Sequence, residues 1–145
     1  MAAGYDSDED AGQGRFGAEF ADAEFLSNAA VAVLLDSIRK GEEHREVDSS
    51  LTKSLEYAKA FPGAVGSMLH SAEAVDAVRR QLASLTFSDE DGAEKKLTPY
   101  EIVALANLNP DKAREAVVHI PSLERFSAED LDTVVTTLHA ASAGV

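Results

Sequence analysis

The sequence contains no cysteine and no tryptophan, only two methionines and four prolines, and 13 basic residues against 26 acidic ones in a chain of 145. Each shortage excludes something. Without cysteine there is no disulfide scaffold, no cysteine-ligated zinc or iron–sulfur site and no thiol nucleophile, as expected of a protein living among reduced thiols. A net charge of -13 argues against gripping phosphates directly, because nucleic-acid affinity rests on Lys and Arg displacing counterions. A basic partner fits better. No run approaches the roughly 18 to 20 apolar residues that a bilayer-crossing helix needs. The opening stretch is acidic where a signal peptide is basic and then apolar, so a soluble chain with no membrane association and no classical export is expected.

The charge that is present is uneven, and this sets the expected boundaries. Seven acids stand against Arg15 alone between Met1 and Leu26; residues 1–15 are therefore expected to form a disordered acidic tail. Residues 16–86 carry an arm and helices, residues 87–96 an acidic solvated loop, and residues 97–145 a second helical unit. The expected class is all-α, a small helical bundle.

The helices follow from periodicity and caps. Val31, Leu34, Leu35 and Ile38 recur at helical spacing after a Ser27 cap; Leu51, Leu55 and Ala58 make a second stripe; Val75, Val78, Leu82 and Leu85 make a third behind Ser71. In Leu97-Thr98-Pro99-Tyr100-Glu101-Ile102, Thr98 can cap, Pro99 suits the first helical position, and Glu101 can reach back to close a capping box. Asn109-Pro110 is expected to open a fifth helix, and Ser127 a sixth with Leu131, Val134, Val135 and Leu138 buried. Leu108 and Ile120 are expected in the core. The inner faces are rich in Ala and Val, so the first three helices bury little area each and need a partner surface.

Catalytic and metal signatures are missing. His44, His70, His119 and His139 show no spacing that puts two ligands on one helical face. Asp6-Ser7-Asp8-Glu9-Asp10 imitates the start of a calcium loop, but Ala11 stands where glycine is required and Gly17 where the bidentate Glu belongs. Phosphate-cradling glycine loops and serine elbows are absent. Catalytic, cofactor-binding and metal-binding residues are all expected to be none.

Two features remain. Ser-Asp-Glu-Asp occurs at Ser7 and again at Ser88, making these serines candidate phosphorylation sites for an acid-directed kinase. Phe16, Phe20 and Phe25 lie on the acidic arm, where they either fold back on the chain's own helices or dock in a groove of another chain.

From Lys95 through Leu105-Ala-Asn-Leu-Asn-Pro110 to Ile120-Pro-Ser-Leu-Glu124, the chain resembles the C-terminal signature of the fourth subunit of eukaryotic RNA polymerase II. The carrying residues are Leu105, Asn107, Leu108, Pro110, Ile120, Pro121, Ser122 and Leu123. Glu19-Phe20, Ala23 to Asn28 and Val33-Leu34-Leu35 resemble that family's first helix. The chain departs from the pattern in a short Leu123 to Phe126 turn, the acidic insert and the tail after Ala140.

The resemblance implies an HRDC-like C-terminal half and a nuclear, non-catalytic stalk subunit. Its partner would be the polymerase's OB-fold seventh subunit, and through it the polymerase core, acting in initiation and nascent-RNA handling. Phe16, Phe20, Phe25, Leu26, Val31, Leu34 and Leu35 are the expected partner interface. Residues 95–145 hold five bases and seven acids, so RNA contact should fall mainly to the partner. The corresponding RNA polymerase III subunit and a free-standing HRDC-like nucleic-acid-binding module are the alternatives.

Overall fold

The computed structural model describes residues 9–41, 48–68 and 71–143. Among these residues the chain forms six α-helices: α1 (Asn28–Gly41), α2 (Ser49–Ala60), α3 (Ala72–Ala83), α4 (Pro99–Leu108), α5 (Ala113–His119) and α6 (Ala128–Ala143). Short 3-10 turns at Gly63–Met68 and Pro121–Arg125 join them, and a two-residue antiparallel pair, β1 (Phe87–Ser88) with β2 (Glu94–Lys95), stands between α3 and α4.

Side chains set the helix starts, at Ser27, Ser71, Thr98 and Ser127 as expected from the sequence and at Asp48 in addition. Ser27 Oγ accepts from the Ala30 amide at 3.2 Å, Asp48 caps α2 through the Ser50 amide at 2.8 Å, and Ser71 caps α3 through the Ala74 amide at 3.1 Å. At α4 the capping box closes in both directions: the Glu101 amide donates to Thr98 Oγ1 at 3.3 Å, and the Thr98 amide donates to Glu101 Oε2 at 2.8 Å. A similar exchange between Ser127 and Asp130 opens α6. Each such cap contributes about 1 kcal/mol.

One core joins α3, α4 and α6. Val78 and Leu82 of α3 meet Ile102 and Leu105 of α4 and Leu131, Val134 and Leu138 of α6, with Ile120, Leu123 and Phe126 closing the end. The α1–α2 pair holds only a small second cluster of Ala32, Leu55 and Ala58, flanked by Val31 and Leu35. A fully buried Leu contributes about 1.5 to 3 kcal/mol and Ala much less, so this pair has little apolar cement. Charge supplements it: Asp36 on α1 pairs with Arg39 and Lys40 on its own helix, at 2.8 Å each, and with Lys59 on α2 at 3.1 Å. Those lysines hold the Asp36 carboxyl far below the usual carboxylate range.

Four expectations change. Asn109 does not open α5; it ends α4 in the left-handed conformation (φ 46°), its amide donating to the Leu105 carbonyl, and α5 begins only at Ala113. Leu108 is 49% exposed rather than core, because the Asn109 turn leaves it on the outer side of α4, whereas Ile120 is fully buried. The acidic stretch is a hairpin: Gly92 takes φ 78°, its amide donates to the Asp89 carbonyl at 2.8 Å, and Phe87 packs its ring 5.6 Å from that of Phe126. Residues 9–15, expected in the disordered tail, close a turn in which Asp10 and Arg15 pair backbone to backbone. Ser7 and the rest of residues 1–8 lie outside the described residues, as do His44 and His70.

Candidate partner-docking groove

An apolar groove of about 260 Å³ runs between α1, α3 and α4. Helical spacing builds its walls. Ala30, Val33 and Leu34 stand at i, i+3 and i+4 on α1; Ala72, Val75, Asp76 and Arg79 repeat the spacing on α3; Ile102, Val103 and Ala106 supply α4. Three of these are alanines, and their missing side-chain bulk is what opens the cleft. Leu26, just before α1, and Leu34 on it both line the groove and are 44% and 49% exposed. Ile38, one turn beyond Leu34 and 47% exposed, prolongs the apolar strip.

Charges stand only along one edge, and they are paired. Arg79 lies 3.9 Å from Glu24 and 3.0 Å from Asp76, which also receives Arg80 at 2.8 Å. An apolar floor with a self-neutralised polar edge suits the burial of apolar side chains from another surface. Among the described residues no cluster of His, Asp and Glu could hold a metal ion.

The seven expected interface residues divide. Leu26 and Leu34 line the groove with Phe25. Val31 and Leu35 face the opposite side of α1 and pack on the α2 cluster. Phe16 and Phe25 fold back, their rings 5.3 Å apart and 5.5 and 6.2 Å from Tyr100 at the start of α4. Phe20, between them, is 51% exposed. The sequence points to no interface residue on α3 or α4; Val75 stands in a helical stripe, but which side of α3 remains uncovered depends on where α1 lies.

The signature residues around Leu105 and Ile120 fix the groove's framework. Leu105, Pro110, Ile120 and Leu123 are fully buried. Asn107 Oδ1 accepts from the Asn28 amide at 2.8 Å, so α4 caps the start of α1 from across the fold. Asn28 Nδ2 in turn donates to the Phe61 carbonyl at 3.1 Å, tying in the end of α2. Gly63 (φ 63°) lies so close to α4 that a Cβ there would meet the Ala106 carbonyl oxygen at 2.0 Å.

Beneath the second corner sits Glu101, the buried charged residue of this core, at 0% exposure. Its carboxylate accepts from Ser122 Oγ at 2.6 Å and Arg125 Nη2 at 2.7 Å, and also pairs with Arg125 Nη1. Arg125 donates further to the carbonyls of Ser122 at 2.7 Å and Lys96 at 2.9 Å, and lies 4.4 Å over the Phe126 ring. Burial pushes the Glu101 carboxyl up, but the Arg125, Ser122 and Thr98 bonds together hold it below its ordinary value. The Glu101 carboxylate raises the Arg125 guanidinium in return. Ser122 thus has a role that its place in an Ile-Pro-Ser-Leu turn does not disclose: it satisfies a buried charge. Pro121 starts that turn with no amide to leave unpaired.

A family model described as RNA polymerase Rpb4 matches residues 8–141. DNA-directed RNA polymerase II subunit 4 of Arabidopsis thaliana is 29% identical, over 82% of this chain and 80% of its own length. DNA-directed RNA polymerase II subunit rpb4 of Dictyostelium discoideum is 27% identical, over 93% of this chain and 90% of its own.

Proposed function

The chain belongs to the RNA polymerase Rpb4 family, and from that premise we propose that it is a non-catalytic stalk subunit of nuclear RNA polymerase II that pairs with the enzyme's OB-fold seventh subunit. The observation that carries the pairing is the groove between α1, α3 and α4, with Leu26 and Leu34 exposed along it. A partner seated there buries apolar side chains against Val33, Leu34, Val75 and Val103 and covers the exposed edge of the thinly cemented α1–α2 pair. Phe20, held out from the arm, extends the contact. The net charge of -13 leaves nascent RNA to the partner and makes this subunit a scaffold for initiation and transcript handling.

The test is reconstitution with the OB-fold subunit. The full chain and its partner should co-elute as a heterodimer. A chain carrying Leu34→Arg and Val75→Arg should elute alone while keeping its helical circular dichroism. Undiminished co-elution of a folded double variant would overturn the groove assignment.

A further inference from the structure

The β1–β2 hairpin is not used by the docking groove, and its tip carries the recurrent Ser-Asp-Glu-Asp sequence. Its two faces differ. Strand alternation puts Phe87 and its cross-strand partner Lys95 toward the protein, and Ser88 with Glu94 away from it. Phe87 packs on Phe126, while Lys95 Nζ pairs with Asp89 and donates to the Arg125 carbonyl at 2.8 Å. On the outer face Ser88, Glu90 and Asp91 are exposed. Glu94 is held there by Lys96 at 2.7 Å.

We propose that Ser88 is a phosphoacceptor for an acid-directed serine kinase, and that its phosphorylation opens the β1–β2 hairpin. The carboxylates of Glu90 and Asp91, two and three residues beyond the hydroxyl, are free to meet basic side chains of such a kinase. In the reaction Ser88 Oγ attacks the γ-phosphorus of a nucleoside triphosphate. The new O–P bond forms as the bond to the bridging oxygen breaks; the nucleoside diphosphate leaves, and the hydroxyl proton passes to the kinase's base.

The product carries about -1.5 to -2 charge directly across the ladder from Glu94, where like charges repel. Lys96 cannot fully serve both anions. A two-residue ladder is marginal by itself, so repulsion on the outer face is opposed by few contacts: the amide bonds of Asp89 to Ala93 and Gly92 to Asp89, the Lys95 ties to Asp89 and to the Arg125 carbonyl, and the Phe87 ring on Phe126.

The experiment uses the full chain carrying Ser7→Ala, incubated with nucleoside triphosphate and an acid-directed serine kinase of the casein type. Peptide mapping should place one phosphate on Ser88, absent in S88A, and E90A/D91A should slow its appearance roughly tenfold. Hydrogen exchange of the Asp89 and Gly92 amides should then accelerate roughly tenfold or more in the phosphorylated chain. No phosphate on Ser88, or an unchanged rate in E90A/D91A, would overturn the acceptor assignment. Unchanged exchange would overturn the opening of the hairpin.

Discussion

Replacing Arg125 by Met removes both guanidinium bonds from a carboxylate with no exposure of its own, leaving Glu101 only Ser122 Oγ at 2.6 Å and the Thr98 amide at 2.8 Å. Stranding one partner of a fully buried pair costs about 3 to 5 kcal/mol. The Arg125 side chain is 36% exposed, so water can reach the vacated position and the expected loss is smaller, about 2 to 3 kcal/mol. For a chain of this size that lowers the melting temperature by roughly 5 to 10 °C. Arg125→Lys restores charge but not the two-pronged geometry, nor both carbonyl contacts, and should recover less than half of the loss.

Thermal unfolding of the full chain followed by circular dichroism reads the effect, and pH adds a second axis. The folded pKa of Glu101 lies below its ordinary 4.5, so its ionic contribution is complete above that value and is lost as pH falls through the lowered folded pKa. The advantage of the wild-type chain over Glu101→Gln, which does not titrate, should be constant near neutrality and shrink below pH 4.5. A melting point for Arg125→Met within about 1 °C of wild type would refute the bracing role. So would a gap to Glu101→Gln that is unchanged across the acid range.

Two further perturbations follow from the first corner. Gly63→Ala places a Cβ 2.0 Å from the Ala106 carbonyl at φ 63° and should cost at least about 2 kcal/mol; a urea midpoint equal to wild type would contradict the close approach. Asn107→Ala leaves the Asn28 amide without its acceptor and should cost about 1 to 2 kcal/mol, with faster hydrogen exchange confined to the first turn of α1. Uniformly faster exchange, or none, would contradict that assignment.

Local chemistry was legible in the sequence and long-range chemistry was not. The Thr98–Glu101 capping box depends on four consecutive residues and appears as read. That the same Glu101 carboxylate meets Arg125, 24 residues on, follows from the packing of α4 against the Pro121–Arg125 turn, and no periodicity reports it. Leu108 is exposed although its place in the corner suggests core, because the left-handed Asn109 ends α4 and leaves that side uncovered. Composition gave the acidic stretch as a loop; the hairpin arises from Gly92 and from Phe87 finding Phe126, 39 positions later in the chain. For the groove, α1's stripe was visible, but Val31 and Leu35 turn to α2 while Leu34 and Ile38 stay exposed, a division set by where α2 lies. The resemblance carried by Leu105 to Pro110 and Ile120 to Glu124 is legible in the sequence alone, and most of those residues have specific roles: Leu105, Pro110, Ile120 and Leu123 are fully buried, Asn107 accepts from the Asn28 amide and Ser122 donates to Glu101.

Purification of the tagged full chain from its own cells, with identification of the proteins it retains, tests the central claim most directly. The account predicts recovery of RNA polymerase II subunits, with the OB-fold subunit at equal stoichiometry, and loss of both from the Leu34→Arg, Val75→Arg chain. Recovery of no polymerase subunit by the wild-type chain, from extracts in which the polymerase is intact, would contradict it.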